Sequence, residues 1–328
     1  MPKRKKGSVK SLYDLDFKNY SLQKDGITQS MITAFLNCRM KFLLVANRWT
    51  SDSKQKTTSF GSMFHDMLDR TYTLWIEDNR IVSSEELSLW LDEYIEEAAV
   101  KSYDKVSRAD LETQATLCQV IIEEYLIFYE EDFEEKRFAW AERTFDFVDE
   151  YGIRRRGKID GKYYSNKNGK PWLMEHKTKS RITEDTLMLK LSFDFQNLFY
   201  IEAEEHDTGE KIQGMLYNVI RNPGHKRKGG ESLYQYGERI REDIKKRPDH
   251  FFKRYEVPYT NKDKLRFKIE LGHLLKEIKN LVSGKSFPYK NQSSCITSWS
   301  CSFLQACSSG TLNSYKQKET LFTELQES

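Results

Sequence analysis

The sequence predicts an α/β protein with a mixed central β-sheet flanked by helices. Three observations lead there. An alternating run with Thr, Phe and Val at 141–148, a return run at 153–164 and a third run led by Pro-Trp-Leu-Met at 171–177 are separated by turn residues at 149–152 and 166–170, the pattern of consecutive strands. Longer stretches with apolar residues at helical spacing lie on both sides of that block. Two further strand-like runs follow at 211–221 and 251–259, which completes a five-stranded expectation. A chain of 328 residues can bury a large core. The expected organisation is a loose basic N-terminus at 1–27, one domain over 28–307 and a polar tail at 308–328.

Composition limits the partners without naming one. Lys plus Arg is 53 against 50 Asp plus Glu, a net charge of +3. A nucleic-acid footprint would therefore come from clustering, not from the total. No apolar run is long enough to span a bilayer, and the start, Met1-Pro2-Lys3-Arg4-Lys5-Lys6, does not read as a secretory signal. The expectation is no membrane partner and a place in the cytosol of a bacterium or of a phage-infected cell. No Gly-x-x-x-x-Gly-Lys-Ser/Thr phosphate loop occurs. If unwinding is needed, a helicase or recombination protein would supply it in trans.

Taken in order, Thr28 or Ser30 can cap a helix running to about 45, with Ile32, Phe35, Leu36, Met40 and Leu43 at helical spacing and Cys38 within it. After a polar loop at 49–59, a helix over about 60–77 carries His65, and Gly61 permits close approach at its start. Helices at about 83–99 and 109–137 make a helical insertion, 78–137, in which Cys118 reads as a core thiol. A single helix at 184–206 puts Gln196 and Tyr200 four apart, on one face. The run at 222–230 is a basic loop, either a phosphate contact or merely solvated. Helices at 232–247 and 261–283 precede a cysteine segment, 285–307, with Cys295, Cys301 and Cys307. These cysteines read as metal ligands or buried thiols before disulfides.

The chemistry concentrates on the strand beginning at 171. Side chains two apart on a strand share a face, so Glu175 and Lys177 point together and His176 points away. Asp160 ends the neighbouring strand. Two carboxylates can hold a hard divalent cation through oxygen, and such a cation polarises a phosphoryl oxygen and acidifies a bound water. Lys177 can orient that water or offset charge that develops on phosphorus. Acid-x-Lys alone is weak evidence, because Asp16-x-Lys18, Glu134-x-Lys136, Asp243-x-Lys245 and Glu277-x-Lys279 have the same form and read as solvated charge pairs. Placement on an apolar strand, downstream of an Asp-ended one, sets Glu175 and Lys177 apart.

Gly157-Lys158-Ile159-Asp160, then Glu175-His176-Lys177-Thr178, then Gln196-Asn197-Leu198-Phe199-Tyr200, preceded by Gly61-Ser62-Met63-Phe64-His65, resembles the RecB-like branch of the PD-(D/E)XK nuclease superfamily over roughly residues 28 to 310. The opening phrase Ser30-Met31-Ile32-Thr33-Ala34-Phe35-Leu36-Asn37-Cys38 is similar to the start of that domain. The resemblance implies a restriction-endonuclease-like core and a Mg²⁺ or Mn²⁺ ion bound by His65, Asp160, Glu175 and the backbone carbonyl of His176. It also implies a catalytic Lys177, with Gln196 and Tyr200 organising the site and the DNA. An imidazole ligand makes such a site friendlier to Mn²⁺.

Members with an iron–sulfur cluster, of the CRISPR-associated exonuclease and AddB nuclease-domain types, draw one cysteine from the N-terminal helix and three from the C-terminus. Cys38, Cys295, Cys301 and Cys307 have that distribution, which implies a [4Fe–4S] cluster. The spacing departs from the family's Cys-x2-Cys-x5-Cys, with five residues in both gaps, and zinc is the alternative occupant. The function implied is a metal-dependent deoxyribonuclease, an exonuclease at DNA ends, in recombination, repair or phage DNA processing. Two alternatives stay open: a catalytically silent DNA-binding or assembly subunit of a recombination or spacer-acquisition complex, and a zinc-stapled nuclease acting on RNA or junctions.

Overall fold

The computed structural model describes residues 11–51, 60–101, 107–180, 184–296, 300–322 and 325. The basic run Lys3 to Lys6 lies outside them. In chain order the elements are α1 (Gln29–Asn37), α2 (Arg39–Ala46), β1 (Trp49–Ser51), α3 (Phe60–Asp78), α4 (Ser84–Lys101), α5 (Arg108–Phe128), α6 (Asp132–Glu135) and β2 (Lys136–Trp140). Then come β3 (Arg143–Val148), β4 (Arg154–Ile159), β5 (Gly161–Ser165), β6 (Pro171–Lys179), α7 (Glu184–Leu191), α8 (Phe195–Thr208) and β7 (Gly214–Arg221). The remainder is α9 (Leu233–Lys246), α10 (Pro248–Phe251), β8 (Phe252–Pro258), α11 (Asn261–Val282), α12 (Leu304–Ser309) and β9 (Tyr315–Gln317). Contacts divide the chain into two compact units, Met1–Lys56 with Thr144–Gly157 and Arg266–Ser328, and Thr57–Arg143 with Lys158–Leu265.

The larger unit holds a five-stranded mixed sheet in the order β2-β5-β6-β7-β8. Only β6 and β7 run parallel, with Glu175 opposite Tyr217 and Lys177 opposite Val219; the other neighbours are antiparallel. The apolar start of β6, Pro171 to Met174, and the near-continuous apolar run of β7 suit this central place, since both faces of a parallel pair are covered, and both strands are buried along most of their length. Gly214 opens β7 because nothing larger fits. A Cβ there would sit 2.3 Å from the carbonyl oxygen of Val257 and 2.7 Å from the Trp172 ring. Helices α3, α4, α5 and α9 share one core with the sheet, among them Phe64, Met67, Cys118, Ile121, Met174 and Ile240. The fold class is as expected, but the membership of the sheet is not. The strand expected at 141 pairs instead with β4 in a separate two-stranded sheet. Its place is taken by β2, where the sequence reading continued a helix to 137.

Three continuous elements of the sequence reading are each broken in two. The strand expected at 153–164 is β4 and β5 with Asp160 between them. The helix expected at 28–45 breaks at Cys38, which is extended at φ −167° and ψ 122° between α1 and α2; Thr28 caps the first half by accepting from the Met31 N–H. The helix expected at 184–206 ends at Leu191 and restarts after Asp194, whose side chain caps α8.

The smaller unit packs α1 and α2 against the C-terminal segment. β1 and β9 pair antiparallel, Trp49 opposite Gln317, and the core includes Leu12, Leu43, Leu44, Trp49, Phe303, Leu312 and Tyr315. Residues from both expected loose ends are thus folded. Leu12, Tyr20 and Leu22 are buried before 28, and Leu312, Tyr315 and Phe322 after 308. Within the described residues no helix is long and apolar enough to cross a membrane.

Candidate active site

Every residue expected at the phosphate-hydrolysing site lies in the larger unit. Asp160 occupies the one-residue break between β4 and β5. Its Oδ2 accepts a hydrogen bond from the His176 N–H at 2.7 Å and faces His65 Nδ1, from α3, at 3.6 Å. Glu175 is 2% exposed. Its Oε1 accepts from Lys177 Nζ and from Gln196 Nε2 at 2.9 Å, and the same amide is 3.2 Å from the Tyr200 hydroxyl. The strand periodicity and the four-residue helical spacing read from the sequence are both realised here. The structure brings His65, Asp160, Glu175, Lys177, Gln196 and Tyr200 into one linked group, with the His176 peptide inside it.

The electrostatics divide the two carboxylates. Burial pushes Asp160 up, but His65, His176 and Lys177 outweigh it and hold the group below the usual carboxylate range. Glu175 goes the other way, to about 7, through burial and the charge of Asp160, with Lys177 opposing. Burial lowers the pKa of both His65 and Lys177, yet both end above their ordinary values because carboxylates face them.

Glu175 Oε2 is buried with no hydrogen-bond partner among the described residues, and a buried carboxylate oxygen without a partner is costly. Among the described residues no three His, Cys, Asp or Glu side chains form a ready-made metal cage; the Lys177 ammonium takes one of the Glu175 oxygens. The donor chemistry still fits a hard divalent cation. Asp160 supplies a carboxylate kept ionised, Glu175 an oxygen that lacks a partner, and His65 a nitrogen beside them.

The opposite face of β6 carries a network that the sequence reading missed. Asn218 Nδ2 donates to His176 Nδ1 at 2.8 Å and to the Tyr125 hydroxyl at 2.7 Å. Asn218 Oδ1 accepts from Arg254 Nε at 3.2 Å, and Arg254 Nη2 donates to Tyr125 at 2.6 Å. Arg254 also pairs with Asp132 and lies 3.4 Å over the Tyr129 ring. His176 stacks on Tyr72 at 5.8 Å. Burial drives the His176 pKa down to about 3, so the imidazole is neutral and can accept at Nδ1. The sequence held one usable signal, a lone amide in the apolar run Met215-Leu216-Tyr217-Asn218-Val219-Ile220; a buried polar side chain there must find partners.

The cysteines gather in the smaller unit. Cys38, Cys295, Cys301 and Cys307 line one cavity of about 350 Å³ together with Lys41 and Lys290. The break between α1 and α2 aims Cys38 there, and its sulfur accepts from the Asn291 N–H at 3.4 Å. Cys295 follows a short 3-10 turn, Cys301 N–H donates to the Cys295 carbonyl at 2.8 Å, and Cys307 lies in α12. Burial raises the Cys307 thiol, helped by Cys38, Cys301 and Cys295 and opposed by Lys290. The four thiols line one cavity, but among the described residues no three of them form a ready-made metal group. Cys118, by contrast, is fully buried in the core of the larger unit.

Comparison with known proteins gives a family. No curated protein matches the sequence. Among solved structures, a candidate exonuclease of Eubacterium rectale aligns over 94% of this chain and 97% of its own at 13% identity and a TM-score of 0.47. The protein designated SSO0001 aligns over 69% of this chain and 86% of its own, at 11% identity and a TM-score of 0.27. Neither likeness is strong enough to bear on chemistry. The sequence model of the PD-(D/E)XK nuclease superfamily, however, matches residues 27–308. The chain therefore belongs to the PD-(D/E)XK nuclease superfamily.

Proposed function

We propose that the protein is a divalent-cation-dependent deoxyribonuclease of the RecB-like branch, an exonuclease hydrolysing phosphodiester bonds at DNA ends. The observation that carries this is Glu175: buried, gripped on Oε1 by Lys177 and Gln196, open on Oε2, and set beside an ionised Asp160. His65, Asp160, Glu175 and the His176 carbonyl would hold Mg²⁺ or Mn²⁺. When bound, the cation supplies Lewis-acid polarisation of the phosphate and an acidified water. Lys177 presents a positive charge where negative charge builds on the phosphate oxygens. Gln196 keeps the Glu175 carboxylate from rotating, and Tyr200 in turn holds the Gln196 amide. The peptide N–H of His176 fixes Asp160, so the two carboxylates are set by one strand.

The four cavity thiols support a structural [4Fe–4S] cluster in the smaller unit, with zinc as the competing occupant. The test of the activity is degradation of end-labelled linear DNA beside closed circles in Mn²⁺, with Lys177→Ala in parallel. Loss of linear DNA alone, abolished in the variant, is the expected result. Cutting of circles would keep the site and remove the requirement for an end. Equal inertness of wild type and variant would favour the silent assembly subunit.

A further inference from the structure

The smaller unit holds a second cavity, of about 270 Å³, that shares no lining residue with the thiol cavity. Lys24, Arg48 and Arg156 line it together with one carboxylate, Asp25, and the neutral polar residues Asn19 and Thr320. Its walls come from the loop before α1, the turn after α2, strand β4 and the segment after β9. Neither the nuclease site nor the cysteine segment uses any of them.

The cations are fixed in place while their charge is not fully matched. The Arg156 stem lies against Gly26, where a Cβ would sit 2.9 Å from its Cδ, and its guanidinium is 5.5 Å from the Phe322 ring. Asp146 Oδ2 approaches Arg156 Nε to 3.0 Å, but in a direction that leaves this buried nitrogen without a hydrogen bond. Arg154 holds both oxygens of the same carboxylate, at 2.6 and 2.7 Å. Arg154 also donates to the Lys24 carbonyl at 2.8 Å, which pins the Lys24 loop to β4. Arg48 stands at φ 65°, just past the end of α2, where glycine or asparagine is the usual residue. Its carbonyl accepts from the Lys318 N–H at 2.9 Å, and its Nη1 donates to the Glu319 carbonyl at 2.9 Å. A backbone site that suits glycine thus carries a cation that reaches the cavity.

Three positive lining residues and one negative leave two positive charges. A phosphate monoester carries roughly two negative charges at neutral pH, whereas a phosphodiester or a carboxylate carries one. Guanidinium forks also match phosphate oxygens in geometry. The volume is at the small end of the range for small-molecule sites, about 300–1,000 Å³. We propose that this cavity binds the terminal phosphate of a small phosphomonoester through Lys24, Arg48 and Arg156. Such a ligand would join the loop before α1 to the segment after β9 and stabilise the folded unit. The inference is independent of the nuclease reading.

Calorimetric titration of the full chain, metal-free and at fixed ionic strength, tests this with inorganic phosphate and deoxyadenosine monophosphate. Both should bind, and deoxyadenosine, which lacks the phosphate, should not. Lys24→Gln and Arg48→Gly should each weaken binding about tenfold, while Lys24→Arg and Lys177→Ala keep it. Arg48→Gly should melt no lower than wild type without ligand, because glycine suits φ 65°. Lys24 is exposed, so Lys24→Gln decides the matter even if Arg48→Gly folds poorly. Wild type that binds neither phosphate compound, or both variants binding as tightly as wild type, would overturn the inference. So would binding lost in Lys177→Ala and kept in Lys24→Gln, which would place the phosphate at the nuclease site. An oligonucleotide without a terminal phosphate that competes as well as the mononucleotide would also overturn it, in favour of a contact to a strand backbone.

Discussion

The peptide N–H of His176 donates to Oδ2 of Asp160 at 2.7 Å, joining the break between β4 and β5 to the middle of β6. On its other side the same residue is tied through Nδ1 to Asn218. One histidine thus links a carboxylate of the candidate site to a buried polar network, and its imidazole contributes by staying neutral. The arrangement explains how Asp160, outside any regular strand, is held in one orientation.

That linkage predicts the behaviour of Asn218, which is 0% exposed. Asn218→Leu removes the donor to His176 and the acceptor of Arg254, leaving buried polar groups without partners. The expected cost is about 1–3 kcal/mol in urea unfolding. Mn²⁺ affinity, measured by calorimetry, should fall about tenfold because a group supporting a ligand is lost. Full stability with full affinity would show the network to be incidental.

Glu175 predicts a pH dependence. Its pKa is raised to about 7 in the folded, metal-free protein, against about 4.3 when unfolded. Between those values the unfolded chain releases the proton while the folded chain keeps it, so this group makes stability fall as pH rises and level off above about 7. Glu175→Gln removes the penalty. The variant should be more stable than wild type at pH 8, on the order of 4 kcal/mol, and indistinguishable at pH 4. Thermal unfolding of metal-free protein at both values is the measurement. A gain of equal size at pH 4 would mean that packing, not charge, is responsible.

Gln196 gives a third prediction. Its amide holds Glu175 Oε1 at 2.9 Å and touches Tyr200 at 3.2 Å. Gln196→Ala frees the carboxylate to rotate about its last bond and should lower Mn²⁺ affinity about 10- to 100-fold with little change in melting temperature. Gln196→Glu places a like charge beside Glu175 and should raise its pKa further, moving the pH needed for metal binding upwards.

What could be read from the sequence was local. Strand alternation paired Glu175 with Lys177, and helical spacing paired Gln196 with Tyr200, because both depend only on neighbours along the chain. Sheet membership depends on partners far away. The runs at 136–140 and 143–148 are both strands, and nothing in either marks which one joins β5. The break at Cys38 was hidden because apolar spacing runs through it, and the same continuity hid the restart of the helix after Asp194. The partners of Asn218 come from α5, β6 and β8, so a lone amide in an apolar strand could signal a network but not name its members.

The cysteine cavity supplies the last prediction. Cys38 comes from the N-terminal helices and the other three thiols from the C-terminal segment, and both line one cavity in the smaller unit. A group bound by all four would cross-link the two ends of that unit and add stability only to the folded state. Anaerobically purified protein should therefore carry iron and acid-labile sulfide. Cys38→Ser and Cys301→Ser should lose both and melt at least ~5 °C lower. Cys118→Ala, in the core of the larger unit, should keep the metal content whatever it does to stability. A single zinc ion per chain, lost in the same variants, would identify the competing occupant. Wild-type protein without any metal, melting with Cys38→Ser, would leave the four thiols as packing and remove the cluster from the functional account.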